Sequence, residues 1–100
     1  IDLIYRVWLF KIRIETFLMK IRYFAWLKNI TNTDSEEFNE LSIRDVDSLK
    51  VFLCNKYPKL DPYINKEKIV RIAINLEYTT TNDKLSFSDE VALFPPVSGG

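Results

Sequence analysis

Apolar and polar positions divide the chain into short, well-bounded segments. Residues 20–26 are rich in β-favouring side chains (Ile21, Tyr23, Phe24, Trp26) and are followed by Leu27-Lys28-Asn29, which predicts a first strand. Residues 29–33 form a turn-rich cluster. Residues 36–43 alternate loosely through Phe38, Leu41 and Ile43, as a second strand antiparallel to the first would. Val46, Leu49, Leu53 and Tyr57 then recur at spacings of three and four, with Phe52 on the flank, and predict a helix over 45–57. Asp45 can cap its start, Asp47 places favourable charge in the first turn, Lys56 suits the negative end, and Pro58 stops it. Residues 60–68 read as a polar loop containing Asp61-Pro62. Residues 69–75 set Val70, Ile72 and Ile74 against Arg71, Ala73 and Asn75, a strand with one buried face. Residues 76–81 are a short β-leaning piece after a turn, Asn82-Asp83 and Ser88-Asp89 open two more turns, and residues 90–94 are the last strand. The order β-β-α-β-β-β predicts an α+β fold, a mixed sheet of about five strands with one main helix packed on one face.

Residues 1–18 stand apart. They are apolar but interrupted by Asp2, Arg6, Lys11, Arg13 and Glu15, and no run between charges exceeds four residues. A membrane-spanning helix needs roughly 20 mostly apolar residues, so that reading fails. No clean apolar core with a small-residue cleavage site marks a signal peptide. Met19-Lys20-Ile21 has the look of a natural start, so the expected organisation is an N-terminal extension over 1–18, a domain over 19–94 and an extended tail over 95–100. The alternative for 1–18 is an amphipathic segment that packs on a partner or a membrane surface, against which the scattered charges argue.

Composition narrows the function classes. One hundred residues, 47% hydrophobic, suffice for one domain with one modest core. Fourteen basic residues balance fourteen acidic ones, leaving no excess to hold a nucleic-acid backbone. The chain has no His, and Cys54 is its one cysteine, which removes most metal sites, Ser-His and Cys-His nucleophile pairs and any internal disulfide, and suits a reducing cytoplasm. Both glycines are terminal, so no Gly-rich phosphate loop exists. Such a chain is a poor candidate for an enzyme acting alone, and no metal or cofactor is expected on it. Cys54, beside the Leu49/Leu53 stripe, reads as a buried structural thiol; a persulfide carrier would need an exposed thiol of low pKa, with Lys50 and Lys56 nearby to favour it. Tyr23 and Trp26 read as core and edge residues. Lys66, Lys68 and Arg71 form a small basic cluster, in its simplest reading solvated loop charge, otherwise a contact for an acidic partner.

The most specific feature is the ending, Phe94-Pro95-Pro96-Val97-Ser98-Gly99-Gly100. Prolines fix φ and stiffen the segment, so it projects from the body. Gly-Gly can lie in a slot too narrow for any residue with a Cβ. A carboxylate on such a stalk is suited to being handed to another protein.

This tail resembles that of the small, sulfur-carrier subunit of molybdopterin synthase. Met19-Lys20-Ile21-Arg22-Tyr23-Phe24-Ala25-Trp26-Leu27 is similar to that family's opening strand, Val70 to Asn75 with Tyr78 to its central strand pair, and Asp89 to Gly100 to its closing strand and tail. The family's usual Gly-Asp-Glu turn before the last strand is Ser88-Asp89-Glu90 here, and since serine resists φ > 0 a changed turn geometry is possible.

The resemblance implies a β-grasp, ubiquitin-like fold and a cycle run by partners. An adenylating enzyme of the ubiquitin-activating type would use ATP to convert the Gly100 carboxylate to an acyl-adenylate. A sulfur donor protein would turn that into a thiocarboxylate. The large synthase subunit, in a heterotetramer, would grip Phe94, Pro95, Pro96, Val97, Ser98 and Gly99 while sulfur passes to cyclic pyranopterin monophosphate. In this reading the chain is a sulfur-donor subunit with no active site of its own. The rival classes are a ubiquitin-like modifier conjugated through Gly100, a sulfur carrier for thiamine or tRNA thiolation, and a purely structural interaction module.

Overall fold

The computed structural model describes residues 3–15 and 18–96. Ten elements follow one another: α1 (Leu3–Glu15), β1 (Met19–Tyr23), α2 (Leu27–Thr31), β2 (Ser35–Phe38), α3 (Val46–Lys56), a 3₁₀ turn (Pro58–Leu60), a π-helical turn (Pro62–Lys66), β3 (Arg71–Ile74), β4 (Glu77–Thr79) and β5 (Glu90–Phe94). The five strands form one sheet in the order β2-β1-β5-β3-β4. β1 and β5 run parallel at the centre, with Ile21 opposite Val91 and Tyr23 opposite Leu93; the other pairings are antiparallel. This mixed sheet, with α3 as the main helix, is the β-grasp arrangement expected.

Period-two alternation builds the sheet's inner face. Met19, Ile21 and Tyr23 of β1 and Val91 and Leu93 of β5 are buried, while the residues between them are only partly so. They meet the α3 stripe of Val46, Leu49 and Leu53. Fully burying a leucine such as Leu49 or Leu53 contributes about 1.5–3 kcal/mol. The start of α3 is fixed by a capping box: the Ser48 N–H donates to Asp45 Oδ1 at 2.8 Å, and the Asp45 N–H donates to Ser48 Oγ at 3.0 Å. These bonds from Ser48 hold the Asp45 carboxyl below its ordinary pKa.

Five segments differ from the sequence expectation. The first strand ends at Tyr23, not residue 26, because Ala25 takes a left-handed conformation (φ 55) that turns the chain; the first three residues of the 29–33 cluster read as a turn instead complete a short helix, α2, that buries Leu27 and Thr31. Trp26 lies on that turn, its ring edge-on to Tyr63 at 4.8 Å. The second strand covers Ser35–Phe38 only; Ile43 is buried from a turn, and Leu41 is exposed. Residues 60–68 are not simply a polar loop, since the two helical turns there drive Leu60 and Ile64 into the core. Within 1–18, for which no element was expected, residues 3–15 form α1, and its residues 3–9 are all exposed. No helix among the described residues is long and apolar enough to cross a membrane.

Candidate functional site: the strand that carries the tail

β5 is the central strand, hydrogen-bonded along both edges, and everything at the candidate site follows from that. At its far end the Phe24 N–H donates to the Leu93 carbonyl at 3.0 Å, the last rung toward β1, while Phe94 stands opposite Arg71 of β3. Pro95 and Pro96 follow; neither has an N–H, so neither can donate to extend the ladder. Pro95 is half-buried and Pro96 exposed, so the chain leaves the body here. Phe94 is also half-buried, its ring tilted against Tyr78 with centroids 6.3 Å apart. Phe24, bonded to Leu93 through its backbone, and Tyr78, packed on Phe94, are exposed, leaving aromatic surface available around the tail's root. Of the residues singled out from sequence, Phe94, Pro95 and Pro96 are therefore together at one end of the sheet. Val97, Ser98, Gly99 and Gly100 lie outside the described residues.

The near end of β5 is held by a clasp that sequence reasoning missed. Asn75, at the β3–β4 turn, donates its N–H to the Glu90 carbonyl (2.7 Å) and accepts the Glu90 N–H on its Oδ1 (2.9 Å). Its amide also donates to Asp89 Oδ1 at 3.0 Å, and Asp89 Oδ2 accepts the Ser86 N–H at 2.8 Å. Lys20 N–H completes the join by donating to the Asp89 carbonyl at 3.0 Å. The Asn75 amide and the Asp89 carboxylate thus hold the start of β5 to the β3–β4 turn, and the Asp89 carbonyl holds it to β1. The polar pair Asn75/Asp89 at two turn positions was the available signal.

Ser88 sits inside this clasp with φ 73. The left-handed conformation that suits glycine is adopted by serine, and the Ser88 N–H donates to the Leu18 carbonyl at 3.1 Å. A positive φ at a residue with a Cβ leaves strain in this turn.

A second missed network lies beneath the sheet's other half. Tyr23 O–H donates to Glu36 Oε2 at 2.7 Å, and Lys56 Nζ lies 3.4 Å from Glu36 Oε1 and over the Phe38 ring. Burial acts to raise the Glu36 pKa, but hydrogen bonds from Tyr57 and Tyr23 and the Lys56 charge outweigh it, so the carboxyl titrates below its ordinary range. Burial, then Glu36 itself, pushes the Tyr23 and Tyr57 hydroxyls up. These groups tie β1, β2 and α3 together. On the open face Arg22 and Glu90 form an ion pair (Nε–Oε1 2.6 Å) not aligned as a hydrogen bond.

Cys54 is half-buried, with the Asn65 amide 3.7 Å from its sulfur, and burial followed by the neighbouring Asp61 raises its pKa. That is the environment of an inert thiol, not an activated one. Among the described residues no group of three or more His, Cys, Asp or Glu side chains could hold a metal ion.

A family model described as the ThiS family matches residues 21–100. The chain belongs to the ThiS family. It is 31% identical over 84 residues to the molybdopterin synthase sulfur carrier subunit of Chlamydomonas reinhardtii, covering 82% of this chain and 98% of that one. Among solved structures it is similar to small archaeal modifier protein 1 of Methanosarcina acetivorans (TM-score 0.68, 28% identity, 83% of this chain and 96% of that one). It also shares its fold with a chain from the Helicobacter pylori complex of subunits 1 and 2 of molybdopterin-converting factor (TM-score 0.59, 23% identity, 83% of this chain and 99% of that one). The β-grasp, ubiquitin-like fold and the family read from residues 19–27, 70–78 and 89–100 are both borne out.

Proposed function

We propose that this ThiS-family chain is the sulfur carrier of molybdopterin synthase, with the Gly100 carboxylate as the group that carries sulfur. The observation that carries the reading is the Pro95-Pro96-Val97-Ser98-Gly99-Gly100 run issuing directly from a central strand clamped on both edges. Similarity to the Chlamydomonas reinhardtii sulfur carrier subunit supports it. A carboxylate is a poor electrophile at neutral pH. Adenylation by a ubiquitin-activating-type enzyme, at the expense of that enzyme's ATP, gives it a leaving group. Sulfur from a donor protein then displaces the adenylate to form a thiocarboxylate, which a large synthase subunit presents to cyclic pyranopterin monophosphate. In this proposal the chain itself binds no cofactor and works in the cytoplasm, as the end unit of a heterotetramer. Residues 1–18 lie outside the working domain. Gly99 and Gly100 leave the terminal carbon open to attack from a partner's groups, and Phe94, Pro95, Pro96, Val97 and Ser98 give the partner a surface to grip.

The test is a reconstituted synthase assay with the chain ending at Gly99. Product formation is expected to vanish while thermal unfolding stays unchanged; undiminished product rejects the reading. The likeness to small archaeal modifier protein 1 favours one second reading, a protein modifier conjugated through Gly100. Intact-mass analysis of the chain from cells separates the two. A carrier shows only the exchange of oxygen for sulfur, whereas a modifier appears in larger branched species.

A further inference from the structure

The sheet's outer edge at β4 does not face empty solvent on its inner side. A groove of about 340 Å³ lies between β4, the amino-terminal half of α3 and the segment leading into β3. Its floor is apolar, with Val46, Ile64, Val70 and Ile72. Three cations line it: Lys50 from α3, Lys68 from the turn and Arg71 at the start of β3. None of the three side chains makes a hydrogen bond or ion pair among the described residues, and Asp47 is the one acid lining the groove. Lys68 is held at φ 54, a left-handed conformation at the exit of the π-helical turn, where glycine would sit without strain. Of the Lys66, Lys68 and Arg71 cluster read from sequence as solvated loop charge, Lys68 and Arg71 are thus brought around the groove with Lys50, and Lys66 is not among its lining residues.

The backbone supplies the rest. β3 and β4 are joined by the two-residue turn Asn75-Leu76, both with positive φ, so Ile74/Glu77 and Ile72/Thr79 are the hydrogen-bonded pairs. Tyr78, between them, aims its N–H and C=O away from β3. β4 is the last strand of the sheet, and no described segment takes up those groups. An unpaired strand edge, an apolar floor and unpaired cations suit an extended peptide that pairs with β4, sets alternate apolar side chains on the floor and meets the cations with carboxylates.

We propose that the β4–α3 groove is a docking site for an extended, acidic-flanked apolar segment of a partner protein, bound by strand addition. The site adjoins the tail's root at Arg71 and Tyr78 but does not depend on the chemistry of the Gly-Gly end. The probe is a fluorescein-labelled heptapeptide with a Val-Ile-Val core and two acidic residues at each end. Saturable anisotropy is expected, with slowed exchange of the Tyr78 amide and shifts at Lys50 and Thr80 in amide spectra. Lys68→Glu combined with Arg71→Glu is expected to weaken binding at least about tenfold, since like charges then face each other. Both positions are exposed, and an unchanged circular dichroism spectrum confirms folding. Removing Gly99 and Gly100 is expected to leave peptide binding intact, so failure here is separable from failure of the sulfur-carrier reading. The proposal is overturned if a peptide with lysines in place of the acids binds equally, if the double variant binds undiminished, if protection maps to the open sheet face, or if inorganic phosphate alone reproduces the shifts at Lys50 and Thr80.

Discussion

Replacing Ser88 by glycine should make the protein more stable, and the size of the gain can be worked from the structure. Ser88 holds φ 73, its hydroxyl makes no hydrogen bond among the described residues, and its backbone bond to Leu18 needs no side chain. The left-handed conformation costs an L-residue about 1–2 kcal/mol. Glycine avoids that cost but loses about 0.4–1 kcal/mol through the greater freedom of its unfolded chain. The balance is a gain of about 0.5–1 kcal/mol, or about 3–6 °C in the unfolding midpoint for a domain of this size. Urea unfolding should show the midpoint raised with an unchanged slope. Ser88→Ala, which keeps the Cβ and the strain, is the control and should stay within about 0.5 kcal/mol of the parent. Leu76 offers an independent repeat: its φ is 71 and it is 94% exposed, so glycine there loses almost no buried area. If both glycine variants prove neutral or destabilising beside their alanine controls, the strain argument is wrong.

Three further outcomes are expected. Leu53→Ala, at a fully buried position on α3, should lose about 2–5 kcal/mol in urea unfolding. Because the Glu36 carboxyl titrates below its ordinary range in the folded state, its contribution is complete above about pH 5 and is lost as pH falls through the folded value. Unfolding followed from pH 6 to pH 3 should therefore decline more steeply for the parent than for Glu36→Gln; parallel profiles would remove the network from the account. Cys54, its pKa raised, should react with iodoacetamide at pH 8 more slowly in the folded chain than in urea, and Cys54→Ser should leave sulfur transfer intact.

Much of the fold is legible in the chain because its strongest segments carry their own periodicity. The stripe from Val46 to Leu53 and its Asp45 cap mark α3 in the sequence, and the alternation over Arg71–Ile74 marks β3. The misread segments are those where one backbone torsion overrules composition. Phe24 and Trp26 are β-favouring, yet the left-handed Ala25 ends the strand, leaving the Phe24 ring exposed and turning Trp26 onto Tyr63. Residues 60–68 look polar because only Leu60 and Ile64 point inward, and a π-helical turn, with no sequence period of its own, places them there. At the site, the tail's composition was readable, but the clasp was not. Asn75 and Asp89 are fourteen positions apart, and only the sheet order brings them together.

That clasp bears on the proposed function more directly than any side chain near the tail. A strand paired on both edges could still slide, and each residue of slippage would draw the tail in or out by about 3.3 Å. A one-residue slip would also turn Val91 and Leu93 out of the core, which the packing opposes strongly. A two-residue slip preserves the inward pattern, so packing alone opposes it less. The Asn75 bonds to Asp89 and Glu90 do oppose it, because side-chain partners recur at no other register. A carrier whose end must meet a reacting atom inside another protein needs a tail of fixed reach. The clasp at one end of β5 therefore sets the length that the prolines at the other end release.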